Sequence, residues 1–341
     1  MNHMFHKRVV ESTFLDPANG FEKKTIPIEI RTDRFTQRVS RVLTDRMKFP
    51  EADLDTGLIE KSLRNCPFCP GNLETMTPKF PASMVPEGRI RFGKSTVFPN
   101  AFPYSRYGSV TVMSETHYVP LHRFADEPGI LADAIKASRL YIDAVKSAVV
   151  GLSYASINWN FMPGAGGGLI HPHLQTIVTR EPAAFHQKLL KASAQYSSGH
   201  GKNYWADLID YEKENKSRYL FGCGGIEFLS CFSPGGMFGE ILAVFTGITK
   251  YQQIGEPVWG DFVSGLSRII GALSRQHLNN LNMTLMLSFD GDDHFWIQAR
   301  VIPRLTLPPF GTSDVNFFEK GHGEIIVTVP PEALAGYVGD E

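Results

Sequence analysis

Apolar and polar residues alternate clearly in Ser109–Met113 (SVTVM), which predicts a strand, and an apolar stretch around Val97–Phe102 leads into it. A loop containing His117 and His122 follows. Asp126, Glu127 and Pro128 then open a helix of about twenty residues: the first turn is acidic, Pro lies near the first helical position, and Leu131, Ile135, Ile142 and Val149 supply an apolar stripe. Ala155–Phe161 predicts the next strand, Pro163–Gly168 a glycine-rich turn, and Leu174–Thr179 a further strand ending at Arg180. Residues 1–60 carry basic clusters (Arg31, Arg34, Arg38, Arg41, Arg46) with weak periodicity and read as an extended, wrapping segment.

The same order returns further along. Phe228–Pro234 and Glu240–Thr246 predict strands, Gln253–His277 contains an amphipathic helix, and Thr284–Phe289 and Trp296–Ile302 predict strands around a turn at Asp290–Asp293. The second copy closes at Pro303-Arg304 as the first closes at Arg180. The pattern predicts an internal duplication of a strand–strand–helix–strand–strand unit. Short turns between most strands make the sheets mainly antiparallel and the fold α+β. The polar stretch Glu181–Tyr219 is the natural boundary, placing one domain at 1–190 and the other at 191–341.

Composition narrows the function classes. The 341 residues carry 34 Lys+Arg against 35 Asp+Glu, a formal net charge of −1, so no global field favours a nucleic acid. Hydrophobic residues at 43% and charged residues at 20% describe an ordinary folded chain. No apolar run has the ~18–20 residues needed to span a bilayer, and the N-terminal residues show no secretory signal, so a soluble cytoplasmic protein is expected. Four cysteines make no disulfide framework. Two of them form Cys66-Pro67-Phe68-Cys69, which reads as a metal or a redox site.

The strongest chemical signal is Gly166-Gly167-Gly168-Leu169-Ile170-His171-Pro172-His173-Leu174-Gln175. Residues at i and i+2 of an extended segment share a face, so His171, His173 and Gln175 point to one side. A neutral imidazole is a competent nucleophile, and glycines let backbone N–H groups approach a phosphate closely. The combination suits attack on phosphorus.

At these residues the chain resembles the galactose-1-phosphate uridylyltransferase family of the histidine-triad superfamily. The resemblance rests on His171-Pro172-His173-Leu174-Gln175, on Asn160 eleven residues before the first histidine, on Cys66 and Cys69, on His117, and on Asn100-Ala101-Phe102-Pro103. It runs from about residue 40 to 335. It implies two tandem histidine-triad-like domains, the first catalytic with a zinc knuckle and the second degenerate. It also implies that His173 is a nucleophile taking a nucleotidyl group from a nucleotide sugar, with Gln175 supporting the phosphate. Asn160, Gly166, Gly167, Gly168, Asn100, Phe102 and Arg46 are implied as substrate-binding residues. One structural zinc is implied on Cys66, Cys69, His117 and His171, with His117 preferred over His122 by the family pattern. The implied acceptor is a hexose 1-phosphate, giving ping-pong transfer, and the family often forms homodimers. A phosphorylase or hydrolase acting on an ADP-sugar, with phosphate or water as acceptor, is one alternative; a non-catalytic zinc-stabilised nucleotide-binding module is another.

Three departures shape these expectations. Gln298 and Arg300 stand where family members carry a His-x-His pair, so no second metal is expected. Ala101 replaces an acidic residue near the ribose, which weakens the case for uracil. Lys320 and Glu324 lie in the stretch where the family contacts the hexose, but the surrounding residues match poorly. Cys223 and Cys231 have no ligand partner at short spacing and are expected in the core.

Overall fold

The computed structural model describes residues 4–43, 56–307 and 311–339. Arg46 lies outside these described residues. The strands are β1 (Phe5–Asp16), β2 (Glu22–Asp33), β3 (Arg38–Leu43), β4 (Ile90–Phe92), β5 (Ser95–Pro99), β6 (Tyr107–Val112), β7 (Tyr154–Phe161), β8 (His173–Thr179), β9 (Tyr219–Cys223), β10 (Ile226–Ser230), β11 (Ile241–Phe245), β12 (Asn280–Ser288), β13 (Gln298–Arg304), β14 (Thr306–Leu307), β15 (Thr312–Ser313) and β16 (Glu324–Val327). The helices are α1 (Thr56–Leu63), α2 (Pro70–Met76), α3 (Arg123–Asp126), α4 (Gly129–Ala148), α5 (Ala184–His200), α6 (Tyr204–Asn215), α7 (Glu256–Arg275) and α8 (Pro331–Gly339). Among them none is long and apolar enough to cross a membrane.

The duplication is explicit in the main sheet, whose order is β4-β5-β6-β8-β7-β12-β13-β11-β10-β9. The unit β5-β6-α4-β7-β8 is repeated as β10-β11-α7-β12-β13, and the strand order of one half mirrors that of the other. The two halves join edge to edge through β7 and β12, with Asn160 opposite Asn282 and Asn158 opposite Thr284. Every neighbouring pair of this sheet is antiparallel. Helices α4 and α7 cover one face. Their stripes (Leu131, Ile135, Tyr141, Ile142; Phe262, Leu266, Ile269, Ile270) join Ile157, Trp159, Leu174, Leu285 and Ala299 in one core. Removing each such side chain from water contributes about 1.5–3 kcal/mol, and this common core fixes the strands that carry the candidate site.

Three segments differ from the sequence reading. Residues 1–60, read as a wrapping segment, contain a long antiparallel ribbon of β1 and β2, extended by β3 and a parallel β16 into a second sheet. Most of β1 is exposed, so no buried face imposes an alternation on its sequence. The boundary stretch 181–219 contains α5 and α6. The predicted strand Phe228–Pro234 ends at Ser230, because β10 pairs with β11 only over Ile226–Ser230.

Candidate active site

Alternation assigns the faces of the central strands. Ile157, Trp159 and Phe161 of β7 and Leu174 and Val178 of β8 point into the helix-covered core. Ser156, Asn158, Asn160, His173, Gln175 and Ile177 therefore point to the opposite face. On that face the Cys-x-x-Cys knuckle packs over β5 and β6 through Phe68, Leu73, Phe98, Val110 and Val112. Helices α5 and α6 pack over β10 and β11 through Leu189, Trp205, Leu208, Leu229, Leu242 and Val244. The strip formed by β8, β7 and β12 lies between these two covers.

The histidines of the His-x-His segment are held in opposite tautomers. His171 Nε2 lies 2.8 Å from Ser114 O, and a carbonyl oxygen only accepts, so Nε2 carries the proton. The lone pair on Nδ1 then faces Cys66 Sγ at 3.6 Å and Cys69 Sγ at 3.7 Å. His173 makes the reverse choice: its Nδ1 donates to His171 O at 2.8 Å, leaving the lone pair on Nε2. Phe68 packs against the His173 ring at 5.2 Å between centroids. Burial lowers the pKa of both rings, that of His171 to about 4, so both are neutral at pH 7.

Cys66, Cys69, His117 and His171 come together with their ligand atoms all within 4.8 Å of one another. His117 Nδ1 lies 3.5 Å from Cys69 Sγ while its Nε2 meets Ser62 Oγ at 2.8 Å. A tetrahedral ion bound at about 2.0–2.3 Å separates its nitrogen and sulfur ligands by roughly 3.5 Å, which these contacts match. The donor set fits a metal on chemistry as well as distance. Burial and the neighbouring Cys66 push the Cys69 thiol up to about 11, a cost that a cation between the two sulfurs reverses. The knuckle is shaped locally: Cys69 precedes Pro70, caps α2 and accepts at its carbonyl from Asn72 and Leu73 N–H groups, while Asn72 Nδ2 donates to Cys66 O at 2.9 Å. His122 is not part of this cluster; it is exposed at the start of α3.

The glycine-rich turn is folded on itself. Gly166 N–H donates to Pro163 O and Gly167 N–H to Met162 O, so of the three glycines only the Gly168 amide has no described backbone acceptor. A Cβ at Gly167 would sit 2.9 Å from both Asn160 O and Met162 O, which explains glycine there. Asn160 is exposed beside this turn, and Asn282 Nδ2 donates to its Oδ1 at 2.8 Å and to Ala165 O at 2.8 Å. Arg304 Nη1 in turn donates to Asn282 Oδ1 at 2.9 Å, and Arg304 Nε to Asp314 Oδ1 at 2.7 Å. The chain Arg304–Asn282–Asn160 leaves the Asn160 amide nitrogen to donate outward.

Sequence reasoning missed Asn158, Asn282 and Arg304. The second Asn-x-Asn, at 280–282, echoes 158–160 and was the available signal for Asn282. Asn158 donates to Ser156 Oγ and Gln175 O. Asn100 caps its own turn by accepting from Phe102 N–H at 2.9 Å, and Phe102 is 81% exposed. Both lie just beyond β5, whose last residue Pro99 pairs with Ser109, near the end of β8 away from His173. Lys320 and Glu324 pair with Glu319 and Arg41 respectively. Cys223 and Cys231 are half-buried and pack against the two larger apolar clusters.

The second unit places different chemistry at the matching positions. Gln298 pairs with Val244 and Met286, as His173 opens β8 opposite Val112, and Arg300 follows where Gln175 stands. Arg300 and Arg38 both bind the fully buried Glu240 carboxylate, which also accepts from Gly235 N–H.

No model of a known protein family matches the chain. An uncharacterized protein of Archaeoglobus fulgidus is 28% identical over 312 residues, covering 90% of each chain. Among solved structures, a GalT-like protein from Arabidopsis thaliana matches with a TM-score of 0.69 at 18% identity, covering 91% of this chain and 98% of that one. ADP-glucose phosphorylase from Arabidopsis thaliana, solved with ADP-glucose, matches with 0.69 at 18% identity over 92% and 99%. A uridylyltransferase matches with 0.61 at 16% identity over 91% and 97%. The chain thus has the tandem α+β fold of the galactose-1-phosphate uridylyltransferase-like proteins.

Proposed function

We propose that this protein is a nucleotidyltransferase acting on nucleotide sugars through a covalent nucleotidyl-His173 intermediate. The observation that carries the reading is the pair of opposed tautomers: His171 turns a lone pair to the two sulfurs, and His173 keeps one on Nε2 while its Nδ1–H is tied to His171 O. His173 Nε2 attacks the α-phosphorus; the P–N bond forms as the P–O bond to the departing sugar 1-phosphate breaks. The Nδ1–H stays on His171 O, which supports the positive charge that the ring acquires. Gln175 and the outward Asn160 amide stabilise the oxygens on which charge grows. An acceptor phosphate oxygen then attacks the same phosphorus and returns His173 to its neutral form. Zinc on Cys66, Cys69, His117 and His171 would supply structural cross-linking of the knuckle to the active strand.

Half-reaction exchange tests this. Labelled sugar 1-phosphate incubated with the matching nucleotide sugar should enter the nucleotide sugar with no other acceptor present. Failure to exchange, with turnover intact, overturns the ping-pong route. A second reading, phosphorolysis of an ADP-sugar, is supported by the fold shared with ADP-glucose phosphorylase and, for the base, by Ala101 where an acidic residue near the ribose is expected of uridylyltransferases. Turnover of an ADP-sugar stimulated by inorganic phosphate alone selects it.

A further inference from the structure

The second sheet ends in an open edge. Its order is β1-β2-β3-β16, so β1 pairs with β2 on one side and, among the described residues, with no strand on the other. The β1–β2 ladder runs without a bulge from the pair Phe5–Asp33 to the pair Asp16–Glu22. Strand β1 contains no proline and lies under no other element, with nine of its twelve residues exposed. The apolar Val9 and Leu15 are 55% and 61% exposed. A long, unbroken, uncovered edge presents a row of free backbone donors and acceptors to another strand.

The charges along β1 say which strand fits. Lys7, Val9 and Glu11 share one face. Lys7 meets Glu29 at 2.9 Å, whereas Glu11 makes no ion pair among the described residues. Two copies of β1 meeting antiparallel about a two-fold axis must place one residue opposite its own copy. Hydrogen-bonded and non-hydrogen-bonded pairs alternate along the ladder, and the axis maps each kind onto itself. A register centred on Glu11 opposes two like charges, which destabilises it. One centred on Val10 faces Lys7 with the partner's Thr13 and Glu11 with the partner's Val9, so the charges stay unmatched. One centred on Val9 sets Lys7 against the partner's Glu11 and Glu11 against the partner's Lys7, with the two valines between them. This last register spans Phe5 to Thr13, roughly 30 Å of strand. It also brings Phe14, 41% exposed, level with the partner's Met4 at the base of the ribbon. At that base Phe5 packs on Phe232 and Tyr211, so an apolar surface lies beside the incoming tip.

We infer that the open edge of β1 is an interaction surface for a second copy of this chain, the two β1 strands pairing antiparallel about Val9. The two four-stranded sheets then join into one continuous sheet of eight strands. The surface belongs to the second sheet and His173 to the main one, so the inference does not depend on the proposed chemistry.

Sedimentation velocity over a dilution series tests it, on the parent and on Lys7→Glu and Glu11→Lys, each alone and mixed in equal amounts. The parent should dimerise reversibly. Each reversal makes both cross-strand pairs of its own dimer like-charged and should raise the dissociation constant about tenfold or more. Mixing the two variants restores two opposite-charge pairs and should return the constant to within about threefold of the parent. Positions 7 and 11 are exposed, so circular dichroism and thermal unfolding of both variants should match the parent. A parent that stays monomeric throughout the series, or a dimer indifferent to both reversals, overturns the inference. Two monomeric variants that fail to dimerise when mixed overturn it as well.

Discussion

The two units of the sheet carry equivalent strand ends, and chemistry separates them. In the first, β8 opens with His173 and Gln175 on a strip between two covering segments. In the second, β13 opens with Gln298 and Arg300, and the side chains above them form a closed ion cluster with Glu240 and Arg38. Duplication supplied the same backbone twice. In the first copy the His173 Nε2 lone pair makes no hydrogen bond among the described residues, whereas in the second Arg300 is held by Glu240 and Gln298. The difference teaches that duplicated strand ends diverge through the partners their side chains find: an imidazole tied at one nitrogen in the first unit, an ion cluster in the second.

That contrast is sharpest in paired substitutions. Arg300→Met leaves Glu240 buried with only Arg38 as its guanidinium partner and should cost about 3–5 kcal/mol of stability, read by denaturant unfolding. Gln175→Leu, at the matching position, should leave stability within about 1 kcal/mol while slowing turnover by about 10²-fold. Equal stability losses at the two positions would erase the distinction. Next in size, Cys66→Ser should reduce bound metal well below one per chain and lower the melting temperature, seen by elemental analysis and thermal unfolding. Cys231→Ser should leave the metal content unchanged.

The smallest effect concerns acid stability. Burial holds His186 near pKa 4, below the ordinary histidine value of about 6.5. Between those values the unfolded chain binds a proton that the folded chain refuses, so stability is full above about pH 6.5 and falls as pH drops toward 4. His186→Phe should remove up to about 1.4 kcal/mol per pH unit from that slope, measured by unfolding at pH 4.5, 5.5 and 7. An unchanged slope would show that His186 does not contribute.

Much of the site was legible because its signals are local. His171-Pro172-His173-Leu174-Gln175 fixes a face by alternation, and the knuckle announces itself by spacing. Helix α6 was also within reach: Tyr204, Trp205, Leu208 and Ile209 recur at helical spacing behind Asn203, which caps Trp205 and Ala206 N–H groups. Helix α5 was not, since it buries His186 and Ser193 with a single leucine and so shows no apolar stripe. The Arg38–Glu240–Arg300 cluster joins residues 202 positions apart, and no local pattern foretells which charges will be buried together. The use of two glycine amides inside their own turn likewise depends on Met162 adopting a positive φ.

The central claim is that His173 carries the nucleotidyl group. Incubating the protein with nucleotide sugars labelled on the α-phosphate, followed by quenching and peptide mapping, tests it directly. The account predicts acid-labile label on the peptide containing His173, absent from His173→Gly. Label that persists in His173→Gly, or that maps to another residue, contradicts it.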